Sequence, residues 1–357
     1  VRVLLLSRHS SRGASSRLRH LQYLDDFRAN GWTVEVSPLF PALYLDALYS
    51  GRGWKRHLVR GYLRRFLTLL RIRQFDLLII EKELFPFLPA WAERAIRGLG
   101  IPCMVDYDDA QFHRYELHRS GLIRRLLGRK IDAVMHNASL VTVGNQYLAD
   151  RARQAGARRV EVIPTVVDAA RYQPAMTRRE GPPVVGWIGT PKTSHYLQPL
   201  LPAFAALQQE MSIRFMAIGA HPSDFADSVV EVRPWTEETE VRSLQQCDIG
   251  IMPLPDSPWE RGKCGYKLIQ YMACGLPVVA SPVGINNEIV KDGLEGWLAS
   301  TKDEWIAALR SLATNREQGR QMGLRGREKV ESWYCRQVQA PRLLAAARQA
   351  VDGRDTG

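Results

Sequence analysis

The chain has 357 residues, 45% hydrophobic and 24% charged, with a formal net charge of +12. That length suits two domains of roughly 150 to 180 residues, each with its own core, and no apolar run approaches the roughly 18 residues that a membrane-spanning helix needs. The charge is one-sided: residues 1–175 carry 28 Lys and Arg against 16 Asp and Glu, and residues 176–357 carry 21 against 21, a pattern that suits one domain facing an anionic surface or substrate better than a nucleic-acid binder.

In chain order, "VRVLLLSRHSS" has too short an apolar run for a signal peptide and reads as a first buried strand. Helical periodicity over Arg17–Asn30 closes at Gly31, and "WTVEVSP" is strand-like. The stretch 51–74 holds eight Lys and Arg and no acid, with Trp54, Leu58, Tyr62, Leu63, Phe66, Leu69 and Leu70 available for an apolar face. It reads either as a helix resting on an anionic bilayer or as a domain helix with a basic solvated face, and "RSGLIRRLLGRK" adds a second basic cluster. Strand "FDLLII", helix 86–98, strand "IPCMVDY", helix 121–138, strand "LVTVG", helix 146–155 and strand "VEVIP" follow. This βα alternation predicts a parallel sheet covered on both faces.

Residues 169–183, rich in proline and charge, read as a linker. A second alternation then runs through "PVVGWIG", a helix from Tyr196 to Glu210, "IRFMAIG", "DIGIMPL" and "PVVASPV". The expected architecture is α/β: two doubly wound, Rossmann-like domains facing across a cleft, spanning 1–168 and 184–332, with a C-terminal helix in 333–357. Ligands should then sit at strand carboxyl ends, in loops 7–16, 106–116, 189–195, 219–223, 234–239 and 253–265. Five dispersed cysteines, with no metal-ligand spacing, read as reduced core thiols of a cytoplasmic protein.

Two clusters carry chemistry. In "RGKCGYKLIQYMACGLPVVASPVG" a short helix begins near Gly265, with Lys263 before it and Lys267 in its first turn. Free N–H groups and the helix dipole favour an anion there, and the lysines strengthen that preference unless they are merely solvated. In "VDYDDAQFHRY", Asp106, Asp108 and Asp109 stand at a strand exit. Such carboxylates orient hydroxyls, accept a proton, bind a divalent cation, or simply cap a turn.

The segment "YMACGLPVVAS", Tyr271–Ser281, closely resembles the donor-binding signature of the family-4 glycosyltransferases of GT-B fold, the glycosyl transferases group 1. The signature's glutamate pair is absent: Gly262 and Gln270 occupy the two positions, with Glu260 near the first. An amide at Gln270 can still bond a ribose hydroxyl. "VIPTVVD", Val162–Asp168, resembles the end of the family's first domain, with Thr165 and Val166 departing from it. "VVGWIGTPKT" resembles the first strand and phosphate loop of the donor domain, implying that Gly189, Thr190, Lys192 and Thr193 meet the diphosphate. The loop Ser7–Leu24 resembles the first acceptor-domain loop, implying Gly13 and Arg17 near transferred sugar and phosphate, and Ser15 and Ser16 on the acceptor side. Where relatives often place a histidine against the sugar, this chain offers Asp108, with His113 later on the acceptor side. Trp235 and Glu237 fall in the loop that meets the nucleobase, where Trp235 either stacks on the base or packs over a helix start. His195 reads as a helix-terminus residue.

The resemblance implies a retaining glycosyltransferase that moves a sugar from a nucleotide-sugar co-substrate to a glycan or lipid-linked acceptor, in cell-surface polysaccharide or glycolipid synthesis. No cofactor or metal is expected, because Lys263, Lys267, Gly265 at the helix start, Lys192 and Arg17 would stabilise the leaving diphosphate. Asp108 and Asp109 would orient sugar or acceptor. It also implies a C-terminal helix packing back on the first domain, and location in the cytoplasm or peripherally on the inner face of the membrane. The rival readings are a GT-B sugar-nucleotide epimerase or hydrolase, and a non-catalytic nucleotide-sugar or membrane-binding protein.

Overall fold

The computed structural model describes residues 1–11, 13–41, 54–176 and 180–353, apart from the side chains of Trp54 and Lys55. Residues 51–53 of the basic stretch and 177–179 of the expected linker lie outside them. Two six-stranded sheets form, and every strand pairing in them is parallel. The first contains β1 (Arg2–Leu6), β2 (Thr33–Val36), β3 (Leu77–Glu81), β4 (Cys103–Tyr107), β5 (Leu140–Val143) and β6 (Val160–Val162), in the order β2-β1-β3-β4-β5-β6. The second contains β7 (Val184–Ile188), β8 (Arg214–Ile218), β9 (Val230–Arg233), β10 (Ile249–Met252), β11 (Val278–Ala280) and β12 (Gly296–Leu298), in the order β12-β11-β10-β7-β8-β9. β3, β4 and β7 are buried at every residue, as parallel strands sheathed by helices require. The sequence order along each sheet reverses between β1 and β3 in one and between β10 and β7 in the other, the positions where such folds open a crevice.

The chain divides into two compact units: Val1–Thr165, Gly262–Cys264 and Gln339–Gly357 form the first, and Val166–Arg261 with Gly265–Val338 the second. The described residues of the segment expected as a linker therefore lie in the second unit, where Tyr172 is 2% exposed within the core. The helix Arg336–Asp352 starts in the second unit and ends in the first.

Several helices differ from their expected lengths, each for a local reason. The helix expected over 17–30 is broken into Ala14–Arg19 and Leu24–Ala29, because Arg19 and His20 turn inward toward Asp106. The helix expected from Pro86 starts only at Trp91, since two prolines and Phe87 at φ +60° hold 85–89 out of a helix. The helix expected over 121–138 is cut into Gly121–Leu127 and Lys130–Asn137. At the break, a Cβ on Gly128 would lie 2.4 Å from the Arg124 carbonyl, and Lys130 turns into the core. The segment after β7 is a 3-10 helix, Pro191–Leu200, before the α-helix Leu201–Glu210. The short β12 was not anticipated.

The basic stretch forms the helix Trp54–Leu69. Its inner face packs Leu58 and Tyr62 on Leu39 and Phe40, and Gly61 permits the approach, since a Cβ there would lie 2.4 Å from the Leu39 carbonyl. Arg65 is also on this face, 1% exposed, and donates to the carbonyls of Ser7 (2.7 Å) and Ser37 (3.0 Å). The outer face carries Val59, Leu63, Phe66 and Leu67 in the open, with Leu70 just beyond the helix.

Candidate functional site

In the first unit the exits of β1, β3 and β4 are knit together by charge. Glu81, ending β3, accepts from the Arg8 N–H (2.7 Å) and the Ser16 hydroxyl (2.6 Å), and Ser16 also accepts from His9 N–H (3.0 Å). Gly13 lets the loop fold this tightly, because a Cβ there would lie 2.4 Å from that of His9. Ser16, expected on the acceptor side, is thus buried as a tie between loop and strand. Arg17, by contrast, is partly exposed and lies 3.4 Å from the Ser11 carbonyl.

Lys82 follows in a left-handed conformation, φ +65°, in a three-residue turn closed by Glu83 N–H to Glu81 O (2.8 Å). Its own N–H donates to Asp106 O (3.0 Å), and its ammonium lies 2.8 Å from Asp108 and 3.7 Å from Asp109. Burial raises the Asp108 carboxyl, but the Lys82 ammonium, helped by the Ser15 hydroxyl and the Arg19 charge, overcomes this and holds it well below the usual carboxylate range. Burial and the Asp108 charge raise Asp109, against the opposing charges of Lys82 and Lys263. Burial disfavours charged Lys82, yet the two aspartates outweigh it and raise its pKa above the ordinary lysine value.

The neighbouring groups are occupied too. Asp106 takes a bidentate pair from Arg19 (2.9 and 2.5 Å) and the Thr142 hydroxyl (2.7 Å). Glu83 takes Lys130 (2.5 Å), Tyr115 (2.7 Å) and Gln111 (3.0 Å), with Arg8 at 3.7 Å. His113 bonds Tyr147 (2.8 Å) and pairs with Glu116 (2.6 Å), which ties it to its own helix and to the helix Gln146–Gln154. Among the described residues no group of three or more His, Cys, Asp or Glu is arranged to hold a metal. The aspartates that might have formed one diverge, Asp106 to Arg19 and Asp108 to Lys82.

The tripeptide Gly262–Cys264 belongs to this unit. Asn145 donates to the carbonyls of Gly262 (3.0 Å) and Lys263 (2.9 Å), and the Cys264 thiol donates to Asp108 O (2.9 Å). A Cβ on Gly262 would lie 2.5 Å from that of Ala110 and 2.9 Å from its backbone nitrogen. The motif's first glutamate therefore has no room at this position. Nor does Glu260 replace it: that side chain is buried in the second unit, accepting from the hydroxyls of Tyr196 (2.5 Å) and Ser257.

In the second unit the strand exits are lined by glycine. A Cβ on Gly189 would lie 2.3 Å from the Trp187 ring, one on Gly219 (φ +83°) 2.3 Å from the Gly189 carbonyl, and one on Gly265 (φ +64°) 2.2 Å from Ile289. Thr190 and Thr193 bond each other in a capping box that opens the 3-10 helix, and Lys192 is exposed there beside His195, whose Nδ1 is 2.9 Å from its carbonyl. Gly265 precedes the helix Tyr266–Ala273, and the Lys267 ammonium sits 4.5 Å from the centre of the buried Trp187 ring. Asn286, 1% exposed, donates to Ser281 O (2.9 Å), while its Oδ1, close to Gly265, accepts no hydrogen bond from the described residues.

Gln270 lies at the motif's second glutamate, is 3% exposed, and donates to the Tyr172 hydroxyl (3.2 Å). That hydroxyl in turn donates to the buried Glu240, which also accepts from Trp235 Nε1 (2.7 Å). With the Tyr172 proton committed to Glu240, position 270 must supply a donor, which an amide can and a carboxylate cannot. Glu237 pairs with Arg171 at 3.3 Å. Lys82, Glu81, Glu83 and Glu240 were all missed by sequence reasoning. For the first three the available signal was "EKE" at the end of a five-residue buried strand, at the sheet's reversal point.

These two sheets have the architecture of the GT-B fold. Sucrose-phosphate synthase from Thermosynechococcus elongatus matches at TM-score 0.72 and 15% identity, covering 99% of both chains. The Anabaena protein HepE, solved with UDP-glucose, matches at 0.68 and 15%, covering 100% of both. A UDP-forming trehalose-phosphate synthase from Burkholderia xenovorans matches at 0.65 and 12%, covering 98% of this chain and 99% of that one. Residues 1–165 match the glycosyl transferase 4-like domain and residues 182–315 the glycosyl transferases group 1. The chain belongs to this family, as a family-4-like group 1 glycosyltransferase. A D-inositol 3-phosphate glycosyltransferase of Nocardia farcinica is 27% identical over 197 residues, which is 47% of this chain and only 42% of that relative's length.

Proposed function

We propose that the protein transfers a glycosyl group from a nucleoside-diphosphate sugar to a hydroxyl of a glycan or lipid-linked acceptor, with retention at the anomeric carbon. The observation that carries this reading is the set of crowded glycines, Gly189, Gly219 and Gly265, at the second unit's strand exits, with Lys267 in the first turn of the helix Tyr266–Ala273. Backbone N–H groups and a lysine suit a diphosphate whose negative charge grows as the glycosidic bond breaks. Lys192 would add charge, and Trp235, fixed through its indole N–H, would meet the base. In the first unit the aspartate pair would orient hydroxyls. HepE was solved with UDP and with UDP-glucose, so a UDP-sugar is the first donor to test.

The test is a thermal-shift panel of nucleotides and nucleotide sugars with and without magnesium, followed by mass spectrometry of each mixture. Stabilisation by one nucleoside diphosphate without magnesium, with release of that diphosphate from its sugar, is the expected result. Binding without any bond cleavage would favour a non-catalytic nucleotide-sugar protein, and turnover to an isomeric nucleotide sugar would favour an epimerase.

A second reading concerns the acceptor's setting. The helix Trp54–Leu69 exposes Val59, Leu63, Phe66 and Leu67 beside Arg56, Arg60 and Arg64, with no acid in 54–75. An apolar stripe flanked only by arginines suits an anionic bilayer surface. Arg65 takes no part in this, being buried on the inner face. Leu63→Glu with Phe66→Glu should abolish sedimentation with vesicles rich in anionic lipid, and unchanged sedimentation would remove the membrane reading.

A further inference from the structure

The fold places the two aspartates at the β4 exit in different surroundings. Lys82 approaches Asp108 to 2.8 Å and Asp109 only to 3.7 Å. The Asp108 side chain is 13% exposed and is also reached by the Ser15 hydroxyl, whereas that of Asp109 is 30% exposed. The closer approach of the ammonium neutralises Asp108 more fully than Asp109, and the greater exposure of Asp109 makes it the more accessible of the two carboxylates to a ligand. The geometry is also held against a backbone preference. A non-glycine residue at φ +65° is strained, and such conformations persist where surrounding contacts over-determine them. Here the contacts are Lys82 N–H to Asp106 O and Glu83 N–H to Glu81 O, which aim the lysine at the β4 exit.

We infer that Asp109 is the carboxylate of this pair that accepts a hydrogen bond from the acceptor hydroxyl, and that Lys82 is the positioning residue that engages Asp108 and keeps Asp109 presented. The inference rests on the transferase reading above. It divides roles that the motif leaves undivided and adds a residue, Lys82, that the motif does not mark. Asp109 stands among Asp108, Lys82 and Lys263, with Cys264 beside them and Arg19, Arg8 and Glu81 in the next layer. Hydroxyl binding by Asp109 requires its ionised form. Since burial and Asp108 raise its pKa, binding weakens as pH falls through a midpoint above the ordinary aspartate value of about 3.9.

The experiment follows the aspartate side-chain carboxyls of the full chain by carbon-13 NMR over pH 2.5 to 8, with Asp108→Asn and Asp109→Asn assigning the two signals. Asp109 should titrate above the ordinary value and Asp108 well below it. Lys82→Met should raise the Asp108 midpoint by about one unit or more, while Lys82→Arg, keeping the charge, should preserve the wild-type order. If Lys82→Met does not fold, Asp108→Asn serves instead and should lower the Asp109 midpoint. An Asp109 midpoint at or below the ordinary value, or an order indifferent to residue 82, would overturn the inference. In parallel, UDP release from UDP-glucose is measured with water as the only acceptor. Asp109→Asn should lower kcat at least about 10-fold with KM for UDP-glucose unchanged within about twofold, and equal kcat for the Asp109→Asn and wild-type proteins would also overturn it. A wild-type protein that releases no UDP identifies a wrong donor, and the titrations then decide the roles of Lys82 and Asp109 by themselves.

Discussion

The exits of β1, β3 and β4 in the first unit and those of β7, β8 and β10 in the second all lie at the carboxyl ends of parallel strands around each sheet's reversal point, yet they are built from opposite materials. The first is dense with charges that satisfy one another: Glu81, Lys82, Glu83, Asp106 and Lys130 are all buried and all partnered. The second has glycines too crowded for any side chain, a threonine capping box, and a lysine lying over an indole. A site filled by its own counter-charges offers directed hydrogen bonds to neutral hydroxyls. A site of bare backbone and one cation offers room for an anion that brings its own charge.

Breaking the first site should therefore cost stability, and breaking the second should cost binding. The largest effect is expected for Lys130→Met, which strips the buried Glu83 of its ammonium and should lower unfolding free energy by about 3–5 kcal/mol in urea titration. Adding Glu83→Gln should recover much of that loss. Next come the changes that restore the family's glutamates. Gly262→Glu must push its Cβ against the Ala110 backbone, and Gln270→Glu sets a second carboxylate on a tyrosine hydroxyl already donating to Glu240. Each should cost about 1–3 kcal/mol by the same titration, with no gain in donor turnover. The smallest effect is expected at Lys267→Ala, with stability nearly unchanged and UDP affinity reduced about 10-fold in calorimetry, or about 1.4 kcal/mol. A Lys267→Ala protein that binds UDP as tightly as wild type would remove the lysine from the donor site and erase the contrast between the two units.

The sequence made the sheets easy to read because parallel strands sheathed on both faces appear as unbroken apolar runs, as in Leu77–Ile80 and Val184–Ile188. β12 escaped because Gly296–Leu298 opens on a glycine and has no β-branched residue, unlike the equally short β6 and β11. Helix breaks at Arg19 and Gly128 were hidden because what sets them is distant in sequence: Asp106 draws Arg19 inward, and Glu83 draws Lys130. Gly189, Gly265 and Lys267 could be singled out because the local motifs carry them, whereas Gly219 has no such motif around it. Lys82 was not, since a charged triplet after a strand looks like any solvated loop until the sheet order brings β1, β3 and β4 together. Gln270 was visible, but its partner Tyr172 lies 98 residues away, so the reason for an amide there was not.

Arg65 has a mechanical meaning. Burial lowers its guanidinium pKa to about 9, so it remains a cation at neutral pH. It rivets the helix Trp54–Leu69 to the carbonyls of Ser7 and Ser37, just past the ends of β1 and β2. A load on the outer face of that helix must either shear off both bonds, stranding a charge in the interior, or drag the first loop's root along with it. A helix lying on the outside of the unit is thus geared to the loop that carries Gly13 and Arg17.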